Sequence, residues 1–220
     1  MSARQTTLDA GTLDVKTLDV SELPKHAFDT RSQLWWGNLW LLCIETTMFG
    51  LAVAVYFYVR QNFTSWPPPH SDSPPFLFDP EPGLLVPTIN LVVLLLSVLP
   101  MAYADVSARR LDRRAVTVGL ALMIVFGAAA ITLRFYEYRA IYWKWDSNAY
   151  GSVTWTILSL HLLHLFVGTL EDVFLLTWVL ARPLDENHAL DVTVTAVYWY
   201  WIVGTWLVLY GVVFLAPRLM

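Results

Sequence analysis

The sequence is short of charge and nearly devoid of cysteine. Only 15% of its 220 residues are Asp, Glu, Lys or Arg, against about 25% in an ordinary soluble domain, while 56% are hydrophobic and 15% aromatic. So few charges cannot cover a water-facing surface, which excludes a soluble globular domain. The one cysteine, Cys43, excludes an intrachain disulfide and the paired-cysteine metal spacings. A net charge of −4 offers no basic surface, so nucleic acid is not an expected partner. Strands of alternating polarity are missing too, and with them a β-barrel.

What the chain does have is long apolar runs. A hydrocarbon core of about 30 Å needs roughly 20 helical residues, and residues 34–59, 84–104, 115–133, 153–180 and 192–216 meet that length. They predict an all-α fold, a polytopic membrane bundle of five transmembrane helices over 34–216. The tail and the segment 105–114 carry Arg4, Lys16, Lys25, Arg31, Arg109, Arg110, Arg113 and Arg114, and Arg182 follows the fourth run. The other side has Arg60, Arg134, Arg139, Lys144 and Arg218, so the positive-inside rule predicts a cytoplasmic N-terminus and an external C-terminus. Trp35, Trp36, Trp66, Trp143, Trp145 and Tyr150 fall at run ends, where interfacial anchors are expected.

Two segments outside the runs have a character of their own. Residues 7–20 repeat TLD at a period of five, which suits neither a strand nor a lasting helix face, so 1–33 is expected to be a disordered cytoplasmic tail. The tail lacks the apolar core of a signal peptide, and its acidity does not suit an organelle transit peptide. Residues 61–83 hold seven of the twelve prolines and are expected to form a stiff, extended outer loop.

Polar side chains inside apolar runs are the natural functional candidates. Glu45 falls near the middle of the first run, where a carboxylate costs at least about 2.5 kcal/mol. It is read either as a proton-handling carboxyl or as a group hydrogen-bonded to a neighbouring helix for assembly alone. In the fourth run His161, His164, Gly168, Glu171 and Asp172 fall within about 100° of arc and form one polar stripe. Such a stripe should face protein or a polar cavity. Two histidines three residues apart could share a metal, but the carboxylates lie two turns beyond His164 and no other run supplies a histidine, so no metal site is expected. By depth, Glu45 sits between His164 and Glu171, within hydrogen-bond reach of His164 if the first and fourth helices are neighbours. Glu137 lies between Arg134 and Arg139 at the outer end of the third run, and an interfacial ion pair with Arg134 is expected. The aromatics Tyr198, Trp199, Tyr200, Trp201, Trp206 and Tyr210 surround the fifth run and are read as packing and anchoring groups.

In order along the chain, these residues resemble subunit III of the haem–copper oxidases, the cytochrome c oxidase type. Residues 39–49, LWLLCIETTMF, are similar to the family's first conserved segment, with Glu45 on its glutamate. SWPP at 65–68 resembles its WPP loop, LVPTIN at 85–90 its VPxxN helix start, and Glu137-Tyr138 its EY pair. LHLLHLFVG at 160–168 looks like its FHGLHVxxG helix, and Tyr198-Trp199 with WLVLY at 206–210 resembles its final segment. Five runs match the short form of the subunit, without the first two helices. The sequence departs from the pattern where Tyr200 and Val203 replace a histidine and an aspartate, and where Glu171 and Asp172 replace apolar residues.

The resemblance implies a non-catalytic accessory subunit of a respiratory terminal oxidase in the bacterial cytoplasmic (inner) membrane, active in aerobic electron transport. It implies no cofactor on this chain and no catalytic residue, with haem and copper on the partner subunits. Oxidase subunits I and II and membrane phospholipids are the expected partners, and support of proton uptake and of sustained turnover the expected role. Quinol oxidases and nitric oxide reductases have similar companions. From other classes, a small proton-coupled transporter would also explain Glu45 and the stripe, but the internal repeats and broken helices common in transporters are absent. A stand-alone haem protein would need ligands that this chain hardly supplies.

Overall fold

The computed structural model describes residues 32–68 and 81–219. Five long helices account for most of them: α1 (Gln33–Arg60), α2 (Leu85–Arg109), α3 (Arg113–Ala140), α4 (Ala149–Ala181) and α5 (Glu186–Tyr210), the last continuing through a π-helical turn (Gly211–Leu215) into a short α6 (Ala216–Leu219). Five helical segments are long and apolar enough to cross a membrane, and no strand occurs among the described residues. The expected runs all become helices, but the helices are longer. Charged residues end an apolar run without ending a helix, so α2 continues to Arg109 and the expected loop 105–114 shrinks to three residues. Likewise α3 continues through Arg134 and Glu137. The repeat tail and residues 69–80 of the proline-rich loop lie outside the described residues.

Side-chain capping marks where the helices begin. Ser32 accepts a hydrogen bond from the Leu34 amide, Asp112 from those of Arg114 and Ala115, Asn148 from Gly151 and Asp185 from His188. The His188 side chain also bonds to Asp185 and, with the backbone bond, holds that exposed carboxyl below its ordinary range. Beside that cap, Arg113 of α3 donates to the carbonyls of Val179 (2.8 Å) and Leu180 (2.9 Å), satisfying the last turn of α4.

The end of the bundle holding the start of α1 and the α2–α3 turn is called inner below, and the opposite end outer. Helices α2 and α3 form a tight hairpin, α3 packs on α4, and α5 fills the centre against α1, α2 and α4. Close approach depends on small residues, as membrane packing requires. A Cβ on Gly119 would lie 2.7 Å from that of Ala104, one on Gly127 2.3 Å from Thr169 Oγ1, and one on Gly168 3.0 Å from Ile202. Helix α1 is peripheral and touches α4 and α5 only along the stripe Asn38, Leu42, Glu45, Phe49 and Tyr56, its other faces being exposed.

At the outer end three of the six expected anchors turn inward. Trp66, Trp143 and Tyr150 are buried, whereas Trp36 and Trp145 are exposed. The Trp66 ring centroid lies 5.5 Å from that of Tyr56 and 5.0 Å from that of Tyr150, so the first residues after α1 are fastened across the ends of α1 and α4. Aromatic bulk at a run end therefore serves the bundle's own packing as well as the interface.

Candidate functional site

Two polar centres occupy the interior, and α4 contributes a histidine to each. The first joins α1 to α4. Nε2 of His164 lies 3.2 Å from Oε2 of Glu45, while Nδ1 lies 2.6 Å from the carbonyl oxygen of Leu160. A carbonyl only accepts, so Nδ1 carries a hydrogen. The contact to Glu45 then needs one further proton, held as a neutral carboxyl donating to a neutral ring or as a carboxylate accepting from an imidazolium. Either way the pair holds one proton between two heavy atoms. Phe49 and Trp201 border the imidazole at centroid distances of 5.1 and 5.3 Å. Trp201 is itself placed by a 2.8 Å bond to Thr46 Oγ1, whose hydroxyl donates to the carbonyl of Leu42. The Glu45 side chain keeps 25% of its surface exposed.

The second centre lies nearer the outer end and is closed. Arg134 and Glu137 of α3, His161 of α4 and Asn90 of α2 all have zero exposure. Arg134 pairs with Glu137, whose other oxygen accepts from Asn90 Nδ2 at 2.7 Å. Arg134 also donates to His161 Nδ1 at 2.8 Å, which makes Nε2 the protonated nitrogen, and this donates to the carbonyl of Ile202 in α5 at 3.0 Å. The guanidinium lies over the Trp206 ring, 3.6 Å from its centroid. Four helices are thus tied through one cation.

These contacts change the reading of the expected site residues. The Arg134–Glu137 pair forms, but inside the bundle and not at its exposed edge, because the helix continues past the apolar run and α2, α4 and α5 close over it. The stripe on α4 divides between two environments: His164 faces α1, while His161 enters the closed centre and Asp172 the interior. Asp172 has zero exposure, and neither of its oxygens is hydrogen-bonded among the described residues. Glu171 lies at the edge of the buried face, partly exposed. Asn90, Thr46, Trp201 and Trp206 were not singled out as site residues beforehand. Asn90 carried a legible signal, an amide within an apolar run, whereas the others gain their meaning only from the partner helix. Among the described residues no group of three His, Cys, Asp or Glu is arranged to hold a metal ion.

Along the outer half of the α1–α4 contact runs an apolar groove of about 450 Å³, lined by Ala52, Val55, Val59, Val153 and Ile157 among others.

Five apolar helices around a paired carboxyl and imidazole define a polytopic membrane protein with protonatable groups inside the bundle. The chain belongs to the cytochrome c oxidase subunit III family, whose profile matches residues 16–216. It is 27% identical over 185 residues to cytochrome c oxidase subunit 3 of Thermostichus vulcanus, covering 83% of this chain and 87% of that one. A probable cytochrome c oxidase subunit 3 of Rickettsia felis is 25% identical over 210 residues, covering 87% and 71% of the two chains. Cytochrome c oxidase subunit 3 of Drosophila melanogaster is 25% identical over 190 residues, covering 84% and 70%.

Proposed function

We propose that the chain serves as the accessory subunit III of a respiratory haem–copper oxidase in a bacterial cytoplasmic membrane. In this role it packs beside subunits I and II, which carry the haem and copper, and the inner end of the bundle faces the cytoplasm. The observation that carries the reading is the Glu45–His164 pair, in a chain of this family, within a segment that resembles the family's glutamate-bearing one. A pair holding one proton can pass it on and regain it without moving a helix, which suits a subunit that supports proton uptake by its partner. The α1–α4 groove has the shape and apolar lining for a lipid acyl chain and supports the lipid-binding part of the reading.

Gentle solubilisation of the membrane, followed by absorption spectra and mass spectrometry of whatever copurifies, tests the assignment. Haem-bearing oxidase subunits are the expected companions, and copurification without any oxidase subunit defeats it. Glu45→Gln tests the role of the pair, since it keeps shape and hydrogen-bonding capacity but removes the carboxyl's proton equilibrium. The complex is expected to assemble normally, with slower proton uptake or earlier loss of activity during turnover. A variant matching the parent in rate and persistence reduces Glu45 to a packing residue.

A further inference from the structure

The inner half of the seam between α1, α4 and α5 brings together polar side chains that no packing role explains. The pairs Glu45 with His164, Phe49 with His161 and Tyr56 with Tyr150 show that α1 and α4 run antiparallel. Asn38 lies seven residues before Glu45, and Glu171 lies seven after His164. Seven residues are about two helical turns, so both side chains keep their helix face and share a depth nearer the inner end. Tyr198 of α5 stacks on Trp201, which borders His164, and its neighbour Trp199 packs against Gly168, one turn before Glu171. Asn38 is only 9% and Tyr198 only 6% exposed, yet neither their polar heads nor that of Glu171 has a hydrogen-bond partner among the described residues.

At membrane depth such groups occur where they meet protein or line water. The burial of Asn38 and Tyr198 decides between the two. A partner helix reaches an exposed ridge, whereas a small molecule is what fits beside residues more than nine-tenths covered on the walls of a seam. That seam leads to Glu45, whose side chain is the part of the pair left partly open.

We propose that the inner half of the α1/α4/α5 seam is a hydrated notch, lined by Asn38, Tyr198 and Glu171, through which the Glu45–His164 pair exchanges its proton with the inner aqueous side. Water beside Glu45 accepts the proton and returns another, so proton count and charge are unchanged over a cycle. Glu171, at the depth of Asn38, keeps the notch polar. The proposal deepens the reading of the pair as a proton-holding site and rests on it for the exchange step, but not for hydration.

The test uses the intact complex in inside-out vesicles, with the exposed Cys43 replaced through Cys43→Ser. Single cysteines are introduced by Glu171→Cys and, one turn away on the exposed face of α4, by Phe174→Cys, and a membrane-impermeant cationic methanethiosulfonate is the probe. Only a hydrated thiol ionises readily, so Glu171→Cys is expected to react at least about tenfold faster than Phe174→Cys. Equal rates, or no reaction at Glu171→Cys because a partner helix covers it, overturn the notch. Infrared spectroscopy in deuterated buffer reads the exchange step through the band that Glu45→Gln removes. Its exchange is expected to slow severalfold in Glu171→Leu but not in Glu171→Gln, and an unchanged rate in Glu171→Leu overturns the route. If Glu45→Gln removes no exchangeable band, the reading of the pair fails and the exchange step with it, while the labelling rates still decide hydration.

Discussion

Asp172 and Arg134 are both fully buried polar residues, but Arg134 is paired through both terminal nitrogens whereas Asp172 is not paired at all among the described residues. Asp172 has neither oxygen hydrogen-bonded among the described residues, so its desolvation is uncompensated. Asp172→Leu is therefore expected to stabilise the protein by about 1–3 kcal/mol, read as a higher thermal midpoint in detergent. A lower midpoint would mean that the carboxyl gains a partner in the assembled complex. Arg134 is bonded on two sides and stacked on Trp206. Removing it alone strands Glu137, so Arg134→Met is expected to cost about 3–5 kcal/mol, whereas Arg134→Met with Glu137→Met recovers much of that loss. Additive losses in that double-mutant cycle would show that the two side chains act independently.

Between helices the deciding quantity is how closely the backbones approach. Gly119 has no room for a methyl group, because the Ala104 side chain and backbone lie at 2.7–3.2 Å from where its Cβ would stand, whereas nothing lies within 4 Å of that point on Gly50. Gly119→Ala is expected to push α2 and α3 apart and cost about 1–3 kcal/mol. Gly50→Ala, on an open face of α1, is expected to be neutral or to gain up to about 1 kcal/mol from helix propensity. Thermal unfolding of the two variants side by side checks the contrast, and equal effects would contradict the hairpin packing described above. Loop lengths at this scale were misjudged for a simple reason. Charge in a sequence marks where the apolar medium ends, while the helix itself runs on until the backbone turns, as it does after α2 at Leu111, whose φ is +56°.

For the whole molecule, the proposed role predicts a purified chain without colour and a native complex carrying haem on another subunit. Stoichiometric haem or copper on the chain alone would overturn it. Topology is checked by impermeant thiol labelling in a Cys43→Ser background. Arg110→Cys in the α2–α3 turn serves for the inner side and Ser71→Cys for the proline-rich loop. Labelling of Arg110→Cys from the cytoplasmic side only, and of Ser71→Cys from outside only, is expected from the charge bias. The reverse pattern would invert the orientation.

The number of helices, their approximate limits and the family were legible in the sequence, because each depends on local information. An apolar run of sufficient length has few alternatives to a membrane helix, and the motifs around Glu45, Asn90, Glu137 and His164 are contiguous strings. A face of α4 was legible too, since periodicity places His161, His164, Glu171 and Asp172 on one side. Which helix each of them meets was not. His164 finds Glu45 119 residues away, and His161 finds Arg134 and the Ile202 carbonyl 27 and 41 residues away. Those meetings depend on how closely small residues let the backbones approach and on which neighbour fills each groove, and residues 100° apart on one helix can face different neighbours. Packing in three dimensions therefore turned one polar stripe into a one-proton pair, a closed cationic centre and an unpaired buried carboxyl.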